Sequence, residues 1–261
     1  MLLRKDPSGV AWITLNRPQV LNACDIATLK KLQGVLKDVE NDPAVRCIVI
    51  TGSGRAFCSG ADLQSLKDRG GYDKQRPLSL TDDLKDGFNP VILKIRTMEK
   101  PVIGMVNGVA AGAGMSIAFA CDLRVMSEDA KFVEAFAKVG LIPDAGSTFF
   151  MPRLLGLAKA MELAFTGEGI DSGEALRLGI VNRVVPQVEL ARVTGELASK
   201  LAAGPRGIGL AKRAINRAIA LDLEQALEYE AHVQGIAGRT EDHQEGVRAF
   251  SEKRPSKFRG K

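Results

Sequence analysis

The stretch Lys100–Ser116, KPVIGMVNGVAAGAGMS, packs a strand, a glycine-rich turn and a helix start into seventeen residues. Val102–Val106 is a short, nearly continuous apolar run of the kind buried on both faces of a sheet. The glycines stop it, and the small residues from Gly114 to Ala120 read as a short helix. The same order occurs upstream, where the strand-like RCIVITG (46–52) is followed by GRAFCSGADL (54–63) and a helix begins near Ala61. Outward from these two units the alternation continues. GVAWITLNRP (9–18) is β-branched and aromatic and ends at a proline, a strand pattern. Ile26, Leu29, Leu32, Val35, Leu36 and Val39 recur at helical spacing. Leu84 to Met98 is helical in pattern, and CDLRVMSEDAKFVEAF (121–136) reads as two strands. Helices occupy much of 148–178, and GIVNRVVP (179–186) is a last strand. Beyond Val188 the chain reads as helix, broken at AAGPRG and GIAGRT. The polar segment 67–83, with Gly70-Gly71 and Pro77, reads as a mobile loop. Strands alternating with helices predict an α/β class with a buried sheet.

Composition narrows the function. The 261 residues are 45% hydrophobic and 26% charged, ordinary for a globular protein with a substantial core. The start, MLLRKDPSGV, has no secretory h-region, and VAAGAGMSIAFAC (109–121) is too short and too rich in small residues to span a bilayer. A soluble, cytoplasmic protein without membrane partners is expected. The four cysteines form no C-x-x-C pair and read as reduced, buried hydrophobes. Only two histidines are present, His232 and His243, with no ligand cluster around them, so no metal is expected. No G-x-S-x-G elbow exists, which argues against a serine hydrolase. A net charge of +5 could attract anions, but the basic residues are dispersed outside the tail SEKRPSKFRGK. With 10 Phe, 2 Tyr and 1 Trp there is little to stack on bases, and nucleic acid is not an expected partner.

The two glycine-rich stretches each follow a strand and open a helix, so each offers backbone N–H groups at a helix N-terminus. Tight strand–helix packing would equally explain the small residues. Neither stretch carries G-x-x-x-x-G-K-[ST], which removes a P-loop, and GAGMSI meets only two glycines of the dinucleotide fingerprint. Donors from two segments can instead converge on one carbonyl oxygen and hold it as an enolate forms, at about 2.7–4 kcal/mol each. An enolate needs a base. In GLIPDAGS (140–147) Asp144 has the most apolar flank of any acid in the chain, and burial would raise its pKa toward a useful range. A helix N-cap is the competing role for the same residue.

Six segments in order then carry a resemblance: LNRPQVLNA, GRAFCSGADL, KPVIGMVNGVAAGAG, ACDLRVMSEDAKF, GLIPDAGST and EGVRAFSEKRPSKF. Nearly end to end the chain resembles the crotonase, or enoyl-CoA hydratase/isomerase, family. Its pattern is most similar there to the ring-epoxide isomerase of phenylacetyl-CoA catabolism and its relatives. The resemblance implies a spiral of repeated ββα units over residues 1–200, which bind acyl-CoA. It implies a C-terminal helical region, 201–261, that forms homotrimers or hexamers. The ligand it implies is a coenzyme A thioester, with no separate cofactor because coenzyme A is part of the substrate.

Carried over residue by residue, the resemblance assigns the oxyanion donors to the N–H groups of Ala61 and Ala113, with Gly114 beside them. It sets Asn22, Ala23, Ser59, Asp62 and Leu63 along the adenine end of coenzyme A, although Asp62 also reads as a helix cap. Phe250 and Lys253 resemble residues that reach a neighbouring subunit's ligand, against a plain surface-charge role for Lys253. The two glutamates of family hydratases fall on Ser116 and Phe136, and Phe136 reads as apolar pocket wall. Gln19 and Gln64 replace two lysines that relatives use near the phosphates. Asp144 falls where some isomerases carry their single acid. The leading expectation is an acyl-CoA isomerase that moves a β,γ double bond to α,β, or rearranges a ring-epoxide phenylacetyl-CoA, with Asp144 as the one base. Enoyl-CoA hydration is the alternative, and an inactive or RNA-binding subunit the reading from another class.

Overall fold

The computed structural model describes residues 1–68 and 80–261. The chain opens with β1 (Leu2–Lys5) and β2 (Val10–Leu15), then α1 (Ile26–Asn41), β3 (Cys47–Gly52), β4 (Ala56–Cys58) and α2 (Leu63–Asp68). After α3 (Leu80–Asp83) a wide π turn over Leu84–Phe88 leads into α4 (Asn89–Thr97), β5 (Val102–Val106), β6 (Val109–Ala111) and α5 (Ala113–Ala120). Next come β7 (Leu123–Ser127), β8 (Lys131–Val133), α6 (Ser147–Leu155), α7 (Leu157–Thr166), β9 (Gly169–Asp171), α8 (Ser172–Arg177) and β10 (Arg183–Val185). Four helices finish the chain: α9 (Gln187–Ala202), α10 (Gly207–Ala218), α11 (Leu223–Ala237) and α12 (Glu241–Ser251).

Among the described residues the strands form two sheets, ordered β1-β2-β3-β5-β7-β10 and β4-β6-β8-β9. Successive strands therefore alternate between sheets: β3 then β4, β5 then β6, β7 then β8. A helix follows each pair before the chain returns to the first sheet. That is the expected spiral of ββα turns. Within the first sheet β2, β3, β5, β7 and β10 run parallel, and β1 adds antiparallel to β2.

Side-chain alternation explains why this sheet must be covered on both faces. Cys47 and Val49 of β3 join Val10, Ile103 and Val125 against Leu190, Ala198 and Ala202 of α9. Ile48 and Ile50, with Ala11, Ile13 and Leu15, point the other way into the main core. There α1 contributes Leu29, Leu32, Leu36 and Val39 at helical spacing, and its first turn is capped by Asp25, which accepts from Thr28 N–H at 2.7 Å. All eight residues of α5 are buried, which requires the small, apolar sequence AGMSIAFA. No helix among the described residues is long and apolar enough to cross a membrane.

The structure departs from the sequence reading at short elements. β4, β6 and β9 have three residues each, too few to show a pattern, and β1 is exposed throughout. The loop expected over 67–83 falls mainly on residues 69–79, outside the described residues; its described flanks are the end of α2 and α3. All four cysteines are buried free thiols.

Candidate active site

The two glycine-rich turns are pressed together. A Cβ on Gly60 would stand 2.9 Å from the Ala111 carbonyl oxygen and 3.3 Å from the Ala113 nitrogen. A Cβ on Gly114 would stand 2.1 Å from the Cys58 carbonyl oxygen. Glycine at both positions lets the end of β4 and the start of α5 touch backbone to backbone. Gly112, with φ of +51°, turns the chain out of β6, so that Ala113 becomes the first residue of α5, where its N–H has no intrahelical acceptor. On the other segment Cys24 N–H donates to Gly60 carbonyl (2.8 Å) and Asp62 N–H donates to Cys24 carbonyl (3.0 Å). These bonds hold Ala61 like a strand residue, and Ala61 and Ala113 border one cavity of about 280 Å³.

Asp144 closes the same cavity from the loop before α6. It is not the cap of that helix. Gly146 holds the cap position without a side-chain bond, and Asp144 Oδ1 is buried with no hydrogen-bond partner. The loop is held instead through the Asp144 carbonyl, which accepts from Ser147 N–H at 2.9 Å and from the Ser116 hydroxyl at 3.0 Å. Ser116 lies 2.9 Å from Ser147 Oγ, so Ser147 can donate to Ser116 while Ser116 donates to the carbonyl. Ala145, the next residue, adopts φ of +48°, a strained conformation of the sort that clusters at functional sites. Burial pushes the Asp144 carboxyl up to about 6.

A second carboxyl accompanies it. Glu134, one residue past β8, is 1% exposed, and neither of its oxygens has a hydrogen-bond partner. Burial first, and the Asp144 charge second, push it up to about 7. Phe136 does line the cavity, but two residues before it the chain carries an acid inward. Around these groups Ile26, Leu29, Leu84, Phe88, Leu141 and Ile142 make the cavity mostly apolar. A raised carboxyl beside two backbone donor segments in such a space can take a proton next to a carbonyl and hold the oxyanion that results.

Residues 5–261 match the sequence profile described as Enoyl-CoA hydratase/isomerase. The chain belongs to the enoyl-CoA hydratase/isomerase family. It is 42% identical over 255 residues to a 1,2-epoxyphenylacetyl-CoA isomerase of Escherichia coli K12, covering 97% of this chain and 96% of the relative. It is 38% identical over 258 residues to a short-chain-enoyl-CoA hydratase of Clostridium acetobutylicum, covering 97% and 95%. Among solved structures, an enoyl-CoA hydratase of Bacillus anthracis superposes over the full length of both chains with a TM-score of 0.91 at 33% identity.

The residues that the family resemblance singled out divide into three groups. Ala61, Ala113, Ser59, Asp62, Leu63, Phe136 and Asp144 all line the one cavity. Asn22, Ala23 and Gly114 do not line it. The Asn22 amide donates to the Ser53 and Ala56 carbonyls (2.9 and 2.8 Å) and its oxygen accepts from Arg17 N–H, so this buried side chain serves the turn around Arg17. Asp62 plays the cap role, accepting from Ser65 N–H at 3.1 Å, and also pairs with Arg17 at 2.9 Å. Phe250, near the end of α12, and Lys253, two residues past it, do not border this chain's own cavity.

Two further residues, Ser116 and Glu134, carry little sign of their place in local sequence pattern. Ser116, at a position where family hydratases carry a glutamate, is the clamp on the Asp144 loop. Glu134 sits inside the run KFVEAF (131–136), one residue past β8, where a charge after a strand suggests surface. Period two is the one signal in the sequence: Glu134 falls on the side of buried Phe132, opposite exposed Lys131.

Proposed function

We propose that this family member is an acyl-CoA isomerase in which Asp144 is the proton shuttle. The observation that carries this reading is the Asp144 carboxyl, unpartnered at Oδ1 and raised by burial, on the cavity that Ala61 and Ala113 also border. With a β,γ-enoyl-CoA, the α C–H bond breaks, its proton goes to Asp144, and its electron pair delocalises onto the thioester oxygen. The Ala61 and Ala113 N–H groups hold that oxygen. Asp144 then returns the proton to the γ carbon, and the double bond ends up α,β. Atoms and electrons balance without any cofactor. The E. coli relative's name extends the substrate class to a ring-epoxide phenylacetyl-CoA, and the apolar cavity suits either acyl group.

Enoyl-CoA hydration is the second reading. The Clostridium acetobutylicum relative, a short-chain-enoyl-CoA hydratase at 38% identity, favours it. Incubating the protein with a panel of CoA thioesters and separating the products by chromatography and mass spectrometry distinguishes the two. Isomers of unchanged mass support the first reading, and products heavier by one water support the second. Asp144→Asn should silence isomerisation; full turnover by that variant would remove Asp144 as the base.

The active form we propose is a homotrimer or a pair of trimers joined through residues 201–261. Exposed apolar side chains on α10, at its C-cap and on α11, including Ile215, Ile219, Leu223 and Leu227, support it. In such an assembly Phe250 and Lys253 would reach a neighbouring subunit's ligand.

A further inference from the structure

The segment LNRPQVLNA (15–23) carries an arginine that the reaction above does not use. Arg17 stands two residues past β2, and its guanidinium reaches three groups beside the oxyanion turn. One terminal nitrogen donates to the Ala23 carbonyl at 2.8 Å and lies 3.3 Å from Asp25 Oδ2. The other lies 2.9 Å from Asp62 Oδ2. Each carboxylate gives its remaining oxygen to a helix start: Asp25 Oδ1 accepts from Thr28 N–H in α1, and Asp62 Oδ1 accepts from Ser65 N–H in α2. Arg17 thus joins the caps of two helices that are distant in sequence.

Those partners bracket the donor. Ala23 and Asp25 stand on either side of Cys24, and Asp62 directly follows Ala61. Cys24 and Ala61 pair through an isolated bridge outside the named strands, so its hydrogen bonds have no ladder around them to hold the register. Gly60, just before Ala61, sits at φ of +95°, where the backbone resists rotation least. Ser59 N–H donates to the Leu21 carbonyl at 3.0 Å and fixes the start of the turn. At the far end, Arg17 spans the bridge. A solvated ion pair would hold little, but the Asp62 side chain is only 9% exposed. A planar guanidinium fork also sets two partners at a defined angle, which a flexible ammonium does not.

We infer that Arg17 is a positioning residue for the Ala61 oxyanion donor. By gripping Ala23 and Asp25 on one side and Asp62 on the other, it keeps the Cys24–Ala61 bridge closed and the Ala61 N–H aimed into the cavity. Cys24, Asp25, Ala61 and Asp62 all line that cavity, so releasing the clamp disturbs its wall at the donor itself. A displacement of about 1 Å there is enough to cost about 10²-fold in rate. No proton passes through Arg17, and Asp144 approaches from a different loop.

This role rests on the reading that Ala61 and Ala113 hold the thioester oxygen, so two measurements separate their fates. The first is isotope-edited infrared spectroscopy of hexanoyl-CoA labelled with ¹³C at the thioester carbonyl. That ligand is saturated and can be neither isomerised nor hydrated. At saturation, wild type should lower the carbonyl frequency below that of the free ligand, and R17M should lose roughly half of the lowering, as one of two donors goes astray. D25N combined with D62N keeps both cap oxygens but removes the charges facing Arg17. It should give the same loss, with no further loss when R17M is added. K94M breaks the 2.7 Å pair with Glu40, away from the cavity lining, and should leave the frequency unmoved. The second is steady-state kinetics on 3-hexenoyl-CoA, where R17M should lower kcat about 10²-fold, change KM less, and leave the acidic limb set by Asp144 in place.

A wild-type carbonyl frequency in R17M and in the asparagine pair overturns the inference, and so does an equal loss in K94M. If R17M fails to fold by circular dichroism, the asparagine pair decides. A wild-type protein that leaves the bound carbonyl unshifted removes the oxyanion reading and this role with it. Wild type inert on 3-hexenoyl-CoA, but with a lowered carbonyl, counts against the isomerase reading alone, and the infrared comparison then decides on Arg17.

Discussion

Asp144 can take a proton only when it is ionised, and its burial sets where that happens. With its carboxyl near 6, kcat/KM for a β,γ-enoyl-CoA should fall about tenfold per pH unit below that point. D144N should lose about 10²–10⁴-fold at all pH values, as expected when a general base is removed. Glu134 leaves a different mark, on stability. Its folded value is raised from 4.5 to about 7, so its contribution is fully present below the unfolded value and is lost as pH rises through 7. Glu134→Gln removes a charge the fold resists: thermal melts should be indistinguishable at pH 4 and favour the variant at pH 8, by at most on the order of 3 kcal/mol. A variant less stable at pH 8 would mean that the carboxylate has a stabilising partner. These two acids also mark how far the site is legible in sequence. Asp144 stands out because an acid inside GLIPDAGS has no polar neighbour to explain it. Glu134 does not, because one charge at a strand end is the usual sign of solvent, and only the register set by Phe132 argues otherwise.

At the level of elements, the site depends on how closely β4 and α5 approach. Gly114 is the contact point, and a methyl there would meet the Cys58 carbonyl at 2.1 Å, backbone that cannot step aside. Gly114→Ala should therefore separate Ala61 from Ala113 and lower kcat by about 10²-fold or more, the effect of losing one oxyanion donor. Thermal stability should fall as well, whereas Gly34→Ala, on open helix surface, should leave both kcat and melting temperature no worse. Ser116→Ala tests the clamp on the Asp144 loop, and should lower kcat more than it raises KM, because it frees the base and leaves the cavity wall intact. The same elements show what patterning can carry. β3 and β5 are buried on both faces and read as continuous apolar runs, so the first sheet is visible in sequence. The second is built from three-residue strands, whose existence depends on neighbours laid down by the spiral and not on any local pattern.

Across the whole molecule, large apolar side chains stay exposed along much of the chain, its last helices included. Ile215 on α10 is 65% exposed, Leu223 at the start of α11 is 75% exposed, and Phe250 on α12 is 87% exposed. Where such side chains adjoin one another, association is favoured over hydration. Light scattering on the purified protein should give three or six times the 28.0 kDa chain mass. Ile215→Glu combined with Leu223→Glu should release smaller species, because each carboxylate would have to be desolvated in the contact. Catalysis then reports on how the subunits share the site. If Phe250 and Lys253 reach across to a neighbour's ligand, the dissociated variant should show a raised KM for the CoA thioester while its acidic limb, set by Asp144 inside each chain, stays near pH 6. Phe250→Ala and Lys253→Ala in the intact assembly should raise KM in the same direction. A dissociated chain whose KM equals that of the assembly would confine the whole ligand site to one subunit and leave α12 with a packing role alone.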